Sequence, residues 1–178
     1  MNKFQGTTII GMVKDNQGAL GGDGQVTFGN TIIKATANKL RVMGEGRVLV
    51  GFAGSVGDAF ALFDRFEKYL KEYPDQLVRA AVALAKEWRS DKVLRRLEAM
   101  IIALDKTTAL IISGSGDVVS PDDGIVAIGS GAPYALASAR ALNSYTSLTC
   151  DQIVKTSLEI ASEICIYTNS DIKVEVLN

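Results

Sequence analysis

Segments that favour strands and segments that favour helices occupy separate runs along this chain of 178 residues. Short β-branched, apolar segments come first, apolar residues at helical spacing then predict two helices, and the same succession follows once more before a last strand. Such runs predict sheets that pack on each other with helices outside, rather than an alternating parallel sheet. The predicted helices cover residues 59–70, 74–97 (with Pro74 at the first position), 132–142 and 150–167, and the last strand covers 172–177.

The size and charge of the chain predict one globular domain. A chain of this length buries roughly 70% of its unfolded surface, so a single core suffices. The formal net charge is −1 and no long basic run is present, which gives no support to nucleic acid or an anionic membrane as a partner. No apolar run is long enough to span a bilayer, and residues 1–6 lack the apolar stretch of a secretory signal, so we expect a cytoplasmic protein.

The sequence contains no histidine, and this excludes several catalytic mechanisms. Ser-His-Asp and Cys-His catalysis require an imidazole, as does a zinc site with histidine ligands. If the chain is an enzyme, its general base is therefore a lysine, an acidic residue, a tyrosine or a terminal amine. The two cysteines, Cys150 and Cys165, fit a reducing compartment as free thiols, and Cys165 is expected in the core.

Two features that could bind ligands are better explained as turns. Gly114-Ser115-Gly116 could approach a phosphate, but the nucleotide-binding glycine motifs are missing and a hairpin turn is the simpler interpretation. Asp122-Asp123 follows Pro121, where aspartate commonly bonds the backbone of a turn. Neither feature therefore predicts a phosphate site or an acid–base pair.

A series of short motifs runs along the whole chain, beginning with Thr7-Thr8-Ile9 and Gly22-Asp23-Gly24-Gln25. In their order and spacing these motifs resemble HslV, a family of bacterial relatives of the proteasome β-subunit. The other motifs are Phe28-Gly29-Asn30, Gly51-Phe52-Ala53-Gly54, Ala59-Phe60-Ala61-Leu62-Phe63, Ala85-Lys86-Glu87-Trp88-Arg89, Leu94-Arg95-Arg96-Leu97-Glu98-Ala99, Ala127-Ile128-Gly129-Ser130-Gly131 and Ile164-Cys165-Ile166-Tyr167-Thr168-Asn169.

The resemblance implies a four-layer α/β/β/α sandwich and the chemistry of N-terminal nucleophile hydrolases. In such enzymes the nucleophile is the side-chain oxygen of the first mature residue, here Thr7, and its own α-amine is the base. An α-amine with a pKa of about 7.7–8.0 suits a chain without histidine. While Gly6 is attached, Thr7 has only an amide nitrogen, so we expect residues 1–6 to be removed and residues 7–178 to form the peptidase domain.

Further residues match positions around the family's nucleophile. Lys39 is expected to favour the neutral amine and the developing alkoxide, and Asp23 to orient and partly neutralise Lys39. Ser130 is expected to hydrogen-bond near the terminal amine; capping of the next helix is the competing structural role, and the two roles are compatible. Gly54 is expected to donate its N–H to the oxyanion, with Gly51 as second choice. Replacing Lys39 with alanine is expected to nearly abolish activity and to leave folding intact.

The resemblance also implies where a substrate and a cation bind. The substrate backbone is expected as an extra strand between residues 26–28 and 53–55. Ser162, Cys165 and Thr168 match a monovalent-cation site built from carbonyl oxygens, with Na⁺ as the expected ion. Ser162 stands where relatives often have glycine, but carbonyl ligands depend little on side-chain identity. No organic cofactor is implied.

An assembly and a partner are implied as well. The family forms two stacked six-membered rings with the active sites inside, and it works with a hexameric AAA+ ATPase of the HslU type that unfolds protein substrates. The sequence has no ATP-binding motif, so ATP would be used only by the partner. Two alternatives are an N-terminal nucleophile amidohydrolase for small amides and a catalytically silent ring subunit.

Overall fold

The computed structural model describes residues 4–5, 7–54, 56–97 and 99–178. Its helices are α1 (Val56–Glu72), α2 (Leu77–Ser90), α3 (Ala132–Tyr145) and α4 (Cys150–Ile164), with a 3₁₀ turn at Leu94–Arg96. Its strands are β1 (Phe4–Gln5), β2 (Thr8–Lys14), β3 (Gln17–Asp23), β4 (Val26–Phe28), β5 (Thr31–Lys34), β6 (Leu40–Met43), β7 (Val48–Gly54), β8 (Ala99–Leu104), β9 (Ala109–Ser113), β10 (Val118–Val119), β11 (Ile125–Gly129) and β12 (Ile172–Leu177).

Two antiparallel sheets pack face to face, and each has a pair of helices on its outer side. One sheet has the strand order β11-β2-β3-β12 and the other β10-β9-β8-β7-β6. Because side chains alternate along a strand, Ile9 lies in the core between the sheets and Ile10 in the core against α3 and α4. A third apolar core joins the five-stranded sheet to α1 and α2. The predicted α/β/β/α sandwich is confirmed.

A tight turn between β2 and β3 sets the register of the site. Only Asp15 and Asn16 form this turn, with φ of 52° and 60°. A two-residue hairpin turn of this kind needs positive φ at both positions, which Asp and Asn tolerate better than most residues. The resulting register places the start of β2 opposite the end of β3, so Thr8 lies next to Asp23.

Helix α2 differs from its prediction at both ends. Pro74 lies in the turn before the helix, which begins only at Leu77. The helix ends at Ser90 and does not continue towards Leu97. The reason is local: the carboxylate of Asp91 accepts the backbone N–H groups of the second and third residues after it, and this competes with further helical hydrogen bonds.

Helix α4 ends at Ile164, three residues short of the prediction, because a local turn and a tertiary hydrogen bond replace the helical ones. The N–H of Thr168 donates to the carbonyl of Cys165 at 3.0 Å, which closes a turn. The carbonyl of Ile166 accepts the side-chain amide of Gln25 at 3.0 Å. Both cysteines are free thiols and Cys165 is buried, as predicted, and Cys150 is buried as well.

The short strands β1 and β5 were not predicted. They flank β4 in a three-stranded sheet of order β1-β4-β5, separate from the two main sheets. All four residues of β5 are exposed. Its sequence therefore lacks the alternation of apolar and polar residues by which a half-buried strand is recognised. None of the helices in the described residues is both long and apolar enough to cross a membrane.

Candidate active site

Asp23, the last residue of β3, is the centre of a buried hydrogen-bond network. Its Oδ1 accepts the backbone N–H of Thr8 at 2.8 Å and the ammonium of Lys39 at 2.9 Å. Its Oδ2 accepts the backbone N–H groups of Gln25 at 2.9 Å and Asn169 at 3.3 Å. A carboxylate has about four acceptor sites, and four donors occupy this one. Asp23 therefore positions its neighbours and is not available as a proton acceptor for a substrate.

Lys39 lies just before β6, and only 4% of its surface is exposed. Besides the contact with Asp23, its Nζ donates to the carbonyl of Gln25 at 2.6 Å. Burial lowers the pKa of the Lys39 ammonium from its ordinary value, and the Asp23 carboxylate opposes that shift. The ion pair is shielded from water, so salt screens it little. The positive charge of the Lys39 ammonium therefore acts on groups that line the adjoining cavity.

Thr7 lies just before β2 and is 8% exposed. Its carbonyl accepts the backbone N–H of Ser130 at 2.8 Å. Gly129 has a φ of +96°, and a Cβ atom at this position would lie 2.1 Å from the Thr7 carbonyl oxygen. Only glycine allows this close approach, which fixes the main chain of Thr7 against the end of β11.

Replacing Gly129 with alanine is expected to displace Thr7 and to lower both peptidase activity and the free energy of unfolding. The positive φ costs about 1–3 kcal/mol for a residue with a side chain, and the collision with Thr7 adds to that cost. Gly46→Ala is the matched control, since Gly46 has a φ of +87° with nothing within 4 Å of a Cβ. Urea unfolding and peptide hydrolysis should show a larger loss for G129A; equal losses in the two variants would contradict the role of Gly129.

Thr8 has a different environment from Thr7, although the two are consecutive. The hydroxyl of Thr8 is buried, lies 2.7 Å from the hydroxyl of Thr168 and accepts the N–H of Gly131 at 3.0 Å. It therefore ties β2 to the start of α3 and to the turn after α4. This structural use of the Thr8 hydroxyl favours Thr7 as the reactive residue of the pair.

A cavity of about 550 Å³ opens at this end of the molecule. Of the residues predicted from the sequence, Thr7, Lys39, Gly54 and Ser130 line it, and Asp23 lies behind Lys39. The structure therefore brings the five predicted catalytic residues to one place. Apolar side chains from α1 and β7 form much of the remaining wall, among them Phe52, Ala53, Ala59, Phe60 and Phe63.

Ser130 contacts Thr7 through its backbone. The hydroxyl of Ser130 has no hydrogen-bond partner in the part of the chain that the structure describes, and the residue is exposed. The N-cap position of α3 is occupied by Gly131, so the alternative role of Ser130 as a helix cap is wrong. Ser130 lines the cavity, where the proposed hydrogen bond from its hydroxyl to a terminal amine stays a prediction.

The two glycines considered for the oxyanion have different surroundings. Gly54 ends β7 with a φ of +142° and lines the cavity. Gly51 lies between the two sheets, where a Cβ would be 2.8 Å from Cγ2 of Ile9. Close packing between the two sheets explains why residue 51 is a glycine. Gly54 therefore remains the candidate oxyanion donor.

The three residues predicted to hold a cation lie around the end of α4. Ser162 is in the last turn of the helix, Cys165 follows its end, and the turn closed by Thr168 comes next. The last carbonyl groups of a helix lack intrahelical donors and carry the negative end of the helix dipole. Carbonyl oxygens at a helix end are the type of ligand that a monovalent cation takes, and the cation at this site stays a prediction.

Sequence analysis did not assign roles to Gln25 and Asn169. The carbonyl of Gln25 accepts the ammonium of Lys39, and the N–H groups of both residues donate to Asp23. Each is the last residue of a motif that carries the family resemblance. Its place in that motif was the sequence feature that could have indicated a role in the site. Their contacts with the ion pair became visible only in the folded chain.

A family model described as "Proteasome subunit" matches residues 3–177. The "ATP-dependent protease subunit HslV" of Pseudothermotoga lettingae is 56% identical over 173 residues, which cover 97% of this chain and 98% of that relative. The chain belongs to the HslV group of the proteasome family. Another HslV subunit, from Bacillus cereus strain B4264, is 57% identical over 180 residues and covers 99% of this chain and 100% of its own length. The resemblance drawn from the motifs is confirmed.

Solved structures agree with membership in the HslV group. The crystal structure of eukaryotic HslV from Trypanosoma brucei superposes with a TM-score of 0.91 at 44% identity, and covers 96% of this chain and 99% of that chain. Thiobacillus denitrificans BPH in complex with epoxomicin has a TM-score of 0.75 at 20% identity over 96% of this chain and 98% of its own. This second similarity concerns the fold alone.

Proposed function

We propose that this HslV-type chain is the proteolytic subunit of an ATP-dependent protease and hydrolyses peptide bonds of unfolded proteins as a threonine-type endopeptidase. The observation that carries the proposal is the cavity that Thr7 and Lys39 both line. Behind it, Asp23 accepts hydrogen bonds from the ammonium of Lys39 and from the backbone N–H of Thr8, the residue that follows Thr7. Relatives described as ATP-dependent protease subunits, at 56% and 57% identity over nearly the whole chain, support the same reaction.

The reaction begins at the amino terminus of the mature chain. Removal of residues 1–6 frees the α-amine of Thr7; residues 1–3 and 6 lie outside the described residues. The neutral amine takes the hydroxyl proton of Thr7 while Oγ1 attacks the scissile carbonyl. The Lys39 ammonium favours the neutral amine and stabilises negative charge on Oγ1, and the N–H of Gly54 stabilises the oxyanion.

Peptide-bond cleavage then proceeds through an acyl-enzyme. The tetrahedral intermediate collapses, the protonated α-amine gives its proton to the leaving amine, and the acyl group stays on Oγ1 of Thr7. Water, deprotonated by the same α-amine, attacks the ester and releases the acid product. Asp23 takes no proton in either half of the cycle, since its four acceptor sites are used.

The pairing of β1 supports the proposed position of the substrate. Phe4 lies opposite Phe28 and Gln5 opposite Thr27 in an antiparallel pair. The edge of β4 therefore accepts an added strand, and an extended substrate can use the same backbone groups after residues 1–6 are removed. The second proposed edge is residues 53–55, of which Ser55 lies outside the described residues.

Assembly and location follow from the family. We propose two stacked six-membered rings in the cytoplasm, served by a hexameric HslU-type AAA+ ATPase that unfolds and delivers protein substrates. Apolar side chains that the single chain leaves in water are consistent with subunit contacts: Ile164 is 55% exposed and Ile166 80%.

We also propose a monovalent cation, Na⁺ first, at the carbonyl oxygens of Ser162, Cys165 and Thr168. The cation would brace the turn that follows α4. That turn holds two residues of the site, since the Thr168 hydroxyl contacts Thr8 and the N–H of Asn169 donates to Asp23. The proposed role of the cation is therefore to position the residues that hold the nucleophile.

One experiment separates this function from its alternatives. Protein purified with and without an HslU-type ATPase is given fluorogenic peptides and small amides, and its amino terminus is sequenced. We expect Thr7 as the first residue of active protein, hydrolysis of peptides, covalent modification of Thr7 by an epoxyketone, and a loss of activity when sodium is replaced by tetramethylammonium. Full activity with Met1–Gly6 retained would overturn the mechanism, hydrolysis of small amides alone would favour an amidohydrolase, and no reaction would favour a silent ring subunit.

A further inference from the structure

Gln25 lies in the link between β3 and β4, where strand pairing does not hold the main chain. The pairing of β3 with β12 ends at Asp23, and that of β4 with β5 begins at Val26. Gln25 is nevertheless buried, with 3% of its surface exposed. A buried residue outside the strand ladder must satisfy its polar groups through other contacts. The position of the Gln25 main chain therefore depends on hydrogen bonds of its own.

The side chain of Gln25 ties this link to the turn after α4. Its Nε2 donates to the carbonyl of Ile166 and to the hydroxyl of Thr27, each at 3.0 Å. A backbone carbonyl can only accept, so the contact with Ile166 requires the amide nitrogen of Gln25 to face it. Both N–H groups of the carboxamide are thus used. The link is anchored to a segment that lies 141 residues away in the sequence.

The main chain of Gln25 in turn holds Lys39. The carbonyl of Gln25 accepts the Lys39 ammonium at 2.6 Å, and its N–H donates to Oδ2 of Asp23, whose Oδ1 accepts the same ammonium. A lysine ammonium sits on a flexible four-carbon stem, so its position is only as well fixed as its acceptors. Both of these acceptors depend on Gln25, one directly and the other through a hydrogen bond.

We propose that Gln25 is a positioning residue for the peptidase reaction, and that its carboxamide fixes the Lys39 ammonium by anchoring the Gln25 main chain to the turn after α4. The described lining of the cavity includes Lys39 but not Gln25, so Gln25 acts through Lys39 and not on the substrate itself. This inference rests on the proposed function and adds to it the residue that holds its lysine in place.

Gln25→Met tests this role, because methionine is flexible and of similar length but has no N–H donor. The Lys39 ammonium favours the neutral α-amine of Thr7, so its displacement should raise the pKa of that amine. We expect the acidic limb of the pH profile of kcat/KM for a fluorogenic peptide to move to higher pH by roughly 0.5–1 unit, the effect of moving a nearby charge by about 1–2 Å. At the pH optimum kcat should fall by roughly 10- to 100-fold with little change in KM.

Asn143→Leu is the matched control. The carboxamide of Asn143 also joins two elements, since its Oδ1 accepts the ammonium of Lys14 at 3.0 Å, but this contact links α3 to the far end of β2. We expect N143L to leave the pH profile and kcat unchanged. Gln25→Asn keeps the amide on a side chain one methylene shorter, and it should lose less activity than Q25M and shift the acidic limb in the same direction.

All variants are assayed as mature protein with the ATPase partner, and thermal unfolding establishes which of them are folded at the assay temperature. If Q25M is unfolded there, Q25N takes its place in the comparison. An acidic limb that stays where it is in the folded variant, or an equal shift in N143L, would overturn the role of Gln25 while peptide hydrolysis itself stands. Failure of the unmodified protein to hydrolyse the peptide would overturn the proposed function and this inference with it.

Discussion

Thr7→Ala is expected to lower kcat for peptide hydrolysis by on the order of 10⁴-fold or more, as the loss of a nucleophile does in other covalent hydrolases. The substitution removes the attacking oxygen but keeps the main chain in place, because the contact with Ser130 uses the Thr7 carbonyl. Thr7→Ser keeps a hydroxyl and should retain measurable turnover. Steady-state kinetics and thermal unfolding of both variants would show a loss of activity without a matching loss of stability.

Thr8→Ala provides the contrast from the neighbouring position. Its hydroxyl is the acceptor of the Gly131 N–H and the partner of Thr168, so its removal leaves a buried donor without a partner. We expect T8A to lower the free energy of unfolding by about 1–3 kcal/mol, with a smaller effect on kcat than T7A. Normal turnover in T7A, or a greater loss of turnover in T8A than in T7A, would remove Thr7 as the nucleophile.

Lys39→Ala is expected to nearly abolish activity and, in addition, to lower the free energy of unfolding by about 3–5 kcal/mol. From the sequence alone we expected folding to be unaffected, and the burial of the ion pair changes that expectation. Asp23 is fully buried, so the loss of the Lys39 ammonium would leave its carboxylate without a cation. Denaturant unfolding together with peptidase assays at a temperature where the variant is folded would separate the two effects.

A salt bridge elsewhere in the chain is the control for Lys39. Arg140 and Asp123 lie 2.6 Å apart, but their side chains are 54% and 34% exposed. Arg140→Ala should therefore cost no more than about 1 kcal/mol and leave peptide hydrolysis unchanged. If Lys39→Ala proved as mild as Arg140→Ala in both measurements, the buried pair would have neither the structural nor the catalytic importance assigned to it.

The parts of the fold that could be predicted depend on short-range patterns. The helices were predicted because apolar residues at spacings of three and four recur over several turns, as in α1 and α4. Their ends were predicted poorly. Asp91 stops α2 with its own side chain, and Gln25, far away in sequence, bonds the carbonyl that follows α4.

The candidate site was predicted for a different reason. The absence of histidine restricted the possible bases, and the motifs identified Thr7, Asp23, Lys39, Gly54 and Ser130 by family position. What the motifs could not show is how these residues act on one another. The four donors around Asp23, the contact between Ser130 and the Thr7 carbonyl, and the close approach of Gly129 are all contacts across strands.

The amino-acid sequence by itself determined the family, the sandwich fold and the need for a base other than imidazole, since these depend on composition, periodicity and motif order. Only the tertiary structure decided that the Asp23–Lys39 pair is buried and that the Thr8 hydroxyl is used for packing. Burial and pairing arise when strands distant in sequence come into register, and no single segment of the chain contains that information.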